Sequence, residues 1–309
     1  MLSSIIIPLY NCLPFTKAML DSLRKTVSSA AKLEIIFVDD GSTDGTREWL
    51  GNLTGNCRAI FNEKNLGFAA TCNRGANAAQ GEYLFFLNND LLLLPHWFEP
   101  MLALFDRFPD VGLIGNVQLN ATTNAVDHAG IQFNLKGKPE HDTTRPLFRR
   151  LTGYRPVSAL TGACCAIRAT TWRKLGGFDE GFCNGGEDVD LCLRAEAAGY
   201  RNYIALRSVV RHHVSQSSGR KLRDEQNSQR LMLRWRETIA EKMGRLWCWH
   251  HLATFWSEPR DFPDQALARA AFYYVLHLRS RAPAAAKTGA HEAIQIELDR
   301  WEALLANRS

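Results

Sequence analysis

Across residues 3–90 the chain repeats one pattern: a short β-rich apolar run, a polar turn, then a stretch whose apolar residues recur every three to four positions. That alternation constrains the fold most, because parallel strands need a crossover between them and a helix supplies it. The strands read as SIIIPL, EIIFVDD, CRAIFN and EYLFFLN, and helices are expected over about 15–29, 43–53, 68–79 and 95–108. Later strand candidates are VGLIGNVQL, AGIQF, ALTGACCAI and NYIALRSVV. GGEDVDLCLRAEAAGY reads as a helix opened by glycines and acids and closed at Gly199. After about Gly219 the composition shifts to Arg, Glu, Ala and Trp with helical spacing, broken by Pro259, Pro263 and Pro283. The expectation is an α/β domain over 1–218, in halves of 1–90 and 91–218, followed by a helical extension over 219–309.

At 309 residues, 46% hydrophobic and 22% charged, the chain is long and apolar enough for a sizeable core. No window approaches the ~20 apolar residues of a membrane span, and Ile5–Ile7 is too short for a signal-peptide core. The expected setting is therefore cytoplasmic, with the inner face of the membrane as a variant of it. The eight cysteines contain no C-x-x-C pair and lie mostly in apolar segments, which suits buried thiols rather than zinc or disulfides. A formal charge of +5 is mild and dispersed, so nucleic acid is not an expected partner.

Ligands of open α/β sheets bind at the carboxyl ends of the strands, and polar clusters stand at several such ends. Pro8, Tyr10 and Asn11 follow the first strand and Asp39 and Asp40 end the second, a pair of neighbouring strand ends able to hold a base and ribose. The two aspartates equally suit turn and helix capping. No G-x-G-x-x-G follows the first strand and no G-x-x-x-x-G-K-[ST] occurs, which demotes dinucleotide and P-loop readings.

The fourth strand ends on Asn88-Asn89-Asp90. A diphosphate brings its own oxygens, so a hard divalent ion, Mn²⁺ or Mg²⁺, needs only one or two protein ligands, and Asp90 suffices. An Asn-rich turn is the plain alternative. Glu187 and Asp188 open the GGEDVD helix, where the N-terminus stabilises anions; an ionised Asp there can take a proton from an attacking hydroxyl, or simply cap the helix. His212 and His213 follow SVVR, and adjacent residues of an extended chain face opposite sides, so one of the two at most faces a metal.

Taken in order, SIIIPLYN, VDDGSTDGT, NEKNLGFAATCNRGANAAQGEYLFFLNND, LTGACCAIR, GGFDEGF and GGEDVDLCLRAEAAGY resemble the motifs of the inverting nucleotide-sugar glycosyltransferases of family 2, whose fold is called GT-A. The resemblance implies that 1–90 is a nucleotide-binding half and 91–218 an acceptor half, that Asp40 contacts the base, that Asp90 is the metal aspartate of a D-x-D-type motif, and that Asp188 is the catalytic base with Glu187 as its catalytic neighbour. It also implies donor-side roles for Asn65, Gly67, Asn73, Asn88 and Asn89, and a metal or diphosphate role for His212, with His213 the alternate. Asn88 stands where the family's first acid is usual. N-N-D and AVDHAGIQF are similar to a bacterial rhamnosyltransferase-like branch, which implies a dTDP- or UDP-sugar donor and a glycan or lipid-linked glycan acceptor of the bacterial surface. Gly176, Gly177, Phe178 and Asp179 read as an acceptor-side loop, with core packing of Phe178 as the other reading.

The segment 219–256 is basic and carries Trp235, Trp247, Trp249 and Trp256. Packing of these tryptophans against the catalytic domain and contact with a membrane surface both fit. Gln229 to Trp235 compares imperfectly with the Q-x-x-R-W motif of processive synthases, being two residues off in spacing. The tail from His291 is amphipathic and suits packing in cis, a second subunit or a partner. Two rivals remain at this level: a catalytically silent nucleotide- or glycan-binding protein, and a sugar nucleotidyltransferase, which lacks here the early glycine-rich basic loop a triphosphate requires.

Overall fold

The computed structural model describes residues 1–144, 152–213, 224–257 and 265–306. The expected boundary near 219 and the serines after His213 lie outside these residues. Two compact units are present, one of Met1–Ile131 with His141–Arg223, the other of Gln132–Glu140 with Asp224–Ser309.

The first unit begins with β1 (Leu2–Leu9), α1 (Leu13–Thr26), β2 (Lys32–Asp39), α2 (Thr46–Gly51), β3 (Cys57–Phe61), α3 (Phe68–Ala78) and β4 (Tyr83–Leu87). It continues through β5 (Leu91–Leu93), α4 (Glu99–Arg107), β6 (Val111–Asn120) and β7 (Val126–His128). Strands β8 (Ile131–Phe133) and β9 (Pro139–His141) form a separate two-stranded sheet. There follow β10 (Tyr154–Val157), β11 (Cys164–Arg168), α5 (Ala169–Leu175), α6 (Glu187–Ala197) and β12 (Arg201–His212). The main sheet has the order β10-β12-β6-β11-β4-β1-β2-β3, with β5 on β12 and β7 on β6. Strands β3, β2, β1 and β4 pair in parallel, as do β6 and β12, while β11 is inserted antiparallel between β4 and β6.

Continuous apolar runs make the central strands because both of their faces are covered. Ile5, Ile6 and Ile7 are fully buried, as are Phe85, Phe86 and Leu87 on β4, each contributing about 1.5–3 kcal/mol on leaving water. On one face Ile5, Ile7, Phe85 and Leu87 join Met19 and Leu20 of α1 and Met101 and Phe105 of α4, while Phe86 packs on Trp172 and Phe178 on the other. Gly75 of α3 lies where a Cβ would meet Ile6 Cγ2 at 2.6 Å and Val38 Cγ2 at 2.9 Å, so its absence of a side chain lets the helix sit down on the sheet.

Several sequence expectations are shortened in the structure, AGIQF to Ile131–Phe133 among them. The helix expected from residue 43 begins at Thr46, after Gly45 in a left-handed conformation (φ 86°). The one expected from Pro95 begins at Glu99, beyond His96 at φ 63°. Of ALTGACCAI, Cys164–Ile167 lies in the strand, because residues 162 and 163 turn.

The second unit holds α7 (Asp224–Ser257), broken by non-helical angles at Trp235, α8 (Gln265–Val275) and α9 (Ala284–Ala306). Cys248, Leu252, Ala268, Ala271, Val275 and Ala286 form its small core, with Trp247 half-buried against it. The amphipathic tail packs in cis: Ala290, Ile294, Leu298 and Trp301 of α9 are buried, and the Trp301 indole N–H donates to Glu225. Lys136 and Lys138 of the β8–β9 turn lie 3.7 and 3.5 Å from the Glu297 carboxylate. No described helix is long and apolar enough to cross a membrane.

Candidate active site

The carboxyl ends of β1, β2 and β4 are joined by a network of short polar contacts. Asn11 follows β1 in a left-handed conformation (φ 58°), as does Cys12 (φ 61°), an uncommon state for non-glycine residues that the surroundings hold in place. The Asn11 N–H donates to Ser42 Oγ at 2.7 Å, and Asn11 Oδ1 accepts the Thr43 N–H at 2.8 Å. Asn89 Nδ2 donates to the Asn11 carbonyl and to Thr16 Oγ1, at 3.3 and 3.0 Å. Pro8 is buried within β1, paired with Val38, and Tyr10 is 47% exposed at the strand exit.

The two β2 aspartates have distinct surroundings. Asp39 is wholly buried and accepts N–H groups of Gly41 and Ser42, with Arg47 Nε 3.6 Å away, so it organises its own turn. Asp40 Oδ1 accepts from Asn62 Nδ2 and the Leu66 N–H, both at 2.8 Å, and Oδ2 from the Gly67 N–H at 2.9 Å. A carboxylate offers about four lone-pair positions, so one on Asp40 Oδ2 stays open to a ligand N–H or hydroxyl. Gly67, at φ 90°, is the N-cap of α3, and Asn65 is exposed just before it.

Asp90 and His212 are brought together by sheet register. β5 pairs antiparallel with β12 so that Leu91 faces His212, and the His213 N–H donates to the Asp90 carbonyl at 3.1 Å. His212 Nε2 then lies 3.2 Å from Asp90 Oδ1. The approach is a contact without hydrogen-bond alignment, since Oδ1 is buried and has no hydrogen-bond partner, as is His212 Nδ1. Two ligands held at right angles on one ion at ~2.1 Å would stand about 3 Å apart, so this orphaned oxygen and facing nitrogen fit a shared divalent ion. Among the described residues no set of three His, Cys, Asp or Glu side chains could hold a metal. The His213 ring instead packs on Phe15, with ring centroids 4.9 Å apart.

Glu187 and Asp188 begin α6, with Gly186 as N-cap. Glu187 is 5% exposed, and its Oε2 accepts the Gly185 N–H at 2.7 Å. Asp188 Oδ2 accepts the Gly162 N–H at 2.9 Å, and its Oδ1 accepts the Val189 N–H at 2.8 Å. Each of its oxygens keeps a free lone pair for a proton. The turn that holds Asp188 is also tied to the β4 exit, because the Asn88 N–H donates to the Ala163 carbonyl at 2.8 Å.

The remaining expected residues gather elsewhere. Asn73 Nδ2 donates to the Phe178 carbonyl and to Glu180, while Asn73 Oδ1 accepts the Phe178 N–H at 2.9 Å, so Asn73 braces the Gly177–Asp179 loop. Gly177 has φ 72°, and a Cβ there would meet Asn73 Oδ1 at 2.7 Å. Phe178 is 2% exposed and packs on Phe68, Phe86 and Trp172, its core reading. Asp179 caps the loop by accepting the Gly181 N–H at 2.8 Å.

Three further residues had no assigned role in the sequence. Asn184 Oδ1 accepts the Phe68 N–H at 2.9 Å, giving α3 the cap that Gly67 lacks. Arg194 ties α6 to the loop through the carbonyls of Leu175 and Gly177. His128, inside AVDHAGIQF, is fully buried on β7, and its Nε2 accepts the Thr161 N–H at 3.4 Å. Burial pushes the His128 imidazole well below its ordinary range, and the charges of His141, Arg155 and His212 add to that.

The profile of glycosyl transferase family 2 matches residues 4–175, more than half the chain. Protein y4gI of Sinorhizobium fredii is 31% identical over 280 residues, covering 85% of this chain and 30% of its own length. The O-antigen biosynthesis protein RfbC of Myxococcus xanthus is 34% identical over 159 residues, 48% of this chain and 12% of that protein. The chain thus spans under a third of either relative. The N-acetylglucosaminyl-diphospho-decaprenol L-rhamnosyltransferase of Mycobacterium tuberculosis is 26% identical, covering 68% of this chain and 76% of that protein. In fold, a crystal structure of GalNAc-T7 with UDP, GalNAc and Mn²⁺ superposes with a TM-score of 0.64 at 17% identity, over 89% of this chain and 54% of that one. With the strand order, the GT-A-like sheet and the family match in agreement, the chain belongs to glycosyl transferase family 2.

Proposed function

We propose that the chain moves a sugar from a nucleoside-diphosphate-sugar donor to a hydroxyl of a bacterial surface-glycan acceptor, with inversion at the anomeric carbon. The observation that carries this is one polar edge where Asp188 and the Asp90 exit are tied to the same short turn. A dTDP- or UDP-linked, rhamnose-like sugar is the favoured donor, and a lipid-linked glycan the favoured acceptor. The rhamnosyltransferase and O-antigen names of two relatives support that choice.

Asp188 takes the proton of the acceptor hydroxyl as that oxygen bonds to the anomeric carbon. The bond from that carbon to the diphosphate breaks, and the diphosphate leaves with the electron pair. Asp90 and His212 would hold a divalent ion of the Mn²⁺ or Mg²⁺ class, which would supply positive charge for the departing group. Asn11, Asn88 and Asn89 line the edge without adding negative charge beside the diphosphate, and Asp40 Oδ2 is available to the base or ribose. Glu187 holds the turn before α6, and so acts on Asp188 by position.

The test is release of nucleoside diphosphate from UDP-, dTDP- and GDP-sugars, with Mn²⁺, Mg²⁺ or a chelator, together with calorimetric binding of the nucleotides. Release from one donor, abolished by the chelator, is expected. Release of pyrophosphate from a sugar phosphate and a triphosphate, or no affinity for any nucleoside diphosphate, would contradict the reading.

A further inference from the structure

The helical unit has an apolar face that its own core leaves uncovered. Cys248 and Leu252 of α7 are buried against Ala268, Ala271 and Val275 of α8. Leu246 and Trp249 fall outside that stripe, Trp256 continues it one turn beyond Leu252, and the three are 38%, 48% and 57% exposed. Steps of three and seven residues place them along one side of α7. On α8 and at the residue after it the pattern repeats, with Phe272, Tyr273 and Leu276 exposed by 40%, 45% and 47%. A helix that is apolar on both sides ordinarily meets a second apolar phase.

Basic residues outnumber acids along this stretch of sequence. Across residues 242–291 there are seven Lys and Arg against three acids, and all three acids lie within 258–264. Residues 265–291 carry Arg269, Arg279, Arg281 and Lys287 and no acid, and these four are exposed. Aromatic side chains with cations beside them match the interface of an anionic bilayer, where rings sit at headgroup depth and Lys and Arg meet lipid phosphates. A second copy of the same face would set like charges against each other, which disfavours a symmetric dimer there.

We infer that the exposed face of α7 and α8 is a peripheral docking surface for an anionic lipid bilayer. It holds the chain at a membrane surface without a span. A lipid-linked acceptor would lie at the same surface, although the docking face is independent of the sugar-transfer reading.

The test is flotation of the full chain with phosphatidylglycerol-containing vesicles and with phosphatidylcholine vesicles, beside Trp249→Ser/Trp256→Ser and Arg279→Ser/Arg281→Ser. The wild type should float with the anionic vesicles and release as salt is raised. Each double variant should bind at least about tenfold more weakly while keeping its circular dichroism spectrum and nucleotide affinity. Failure to float with anionic vesicles, equal binding to both vesicle types, or unaltered binding by both variants would overturn the inference. A dimer seen by light scattering and broken by the tryptophan substitutions would also overturn it, by assigning the face to a second copy.

Discussion

The backbone N–H of Gly162 donates to Asp188 Oδ2 at 2.9 Å. Through this bond a turn that contributes no reactive side chain aims the proposed base. A Cβ at Gly162 would stand 3.2 Å from Phe68 Cε1 and 3.5 Å from Asp188 Cβ, so the turn approaches as closely as it does because residue 162 is glycine. Gly162→Ala should therefore lower kcat by about tenfold while leaving nucleotide affinity near wild type, since small misplacements of a base are costly. Steady-state kinetics set beside calorimetric nucleotide binding check this.

Asp90 and His212 should behave as a pair. Either alanine substitution should weaken metal-dependent binding of the nucleoside diphosphate by about tenfold or more, and the double variant should add little, because one ion is lost in each case. His213→Ala should stay close to wild type, as its ring packs on Phe15. Calorimetry with and without Mn²⁺ separates these outcomes.

Phe178 is a test of packing. Its ring sits among Phe68, Phe86 and Trp172 and is 2% exposed, so Phe178→Ala should cost about 3–5 kcal/mol in urea unfolding, the usual range for a buried phenylalanine. Asp179→Ala, which removes a turn cap, should cost about 1 kcal/mol.

His128 gives the first unit an acid-sensitive element. Its imidazole is held neutral in the folded state by burial first and by neighbouring positive charges second, whereas an unfolded histidine titrates near its ordinary 6.5. Below that pH the unfolded chain binds a proton that the folded chain refuses, so stability falls as pH drops, by up to about 1.4 kcal/mol per pH unit. His128→Gln, which can offer an oxygen to the Thr161 N–H, should flatten this dependence below pH 6.5 in denaturant titrations. Asp142 contributes a second, more acidic limb. Burial pushes its carboxyl up, but hydrogen bonds from Thr144 and the Arg155 guanidinium outweigh that and leave it below the ordinary value, so its stabilisation is lost as pH falls through the lowered value.

Much of the fold was legible because buried parallel strands announce themselves as apolar runs, and β1 to β4 coincide with SIIIPL, EIIFVDD, CRAIFN and EYLFFLN within two residues at each end. Strands β5 and β7 have three residues each, too few to show a period, yet β5 is what sets His212 opposite Asp90. The exposed position of Tyr10 and the cap-like surroundings of Asp39 follow from local turn chemistry that the sequence displays. Asn73 was not legible in its bracing role, because its partners lie 105 and 107 residues away and no local pattern encodes them. The same holds for Asn184 capping α3 across 116 residues. His128 carried a visible signal in AVDHAGIQF, but its burial and its bond to the Thr161 turn depend on the register of β7 with β6, Gln118 facing His128.

The most direct test of the account is Asp188→Asn, assayed for nucleoside diphosphate release from the donor the wild type uses and, in parallel, for nucleotide affinity. The amide keeps the shape and an oxygen for the Gly162 N–H but cannot accept the hydroxyl proton. Release lowered by about a hundredfold or more at unchanged affinity is the expected result. Near-normal release by a folded variant would remove Asp188 as the base and with it the proposed displacement.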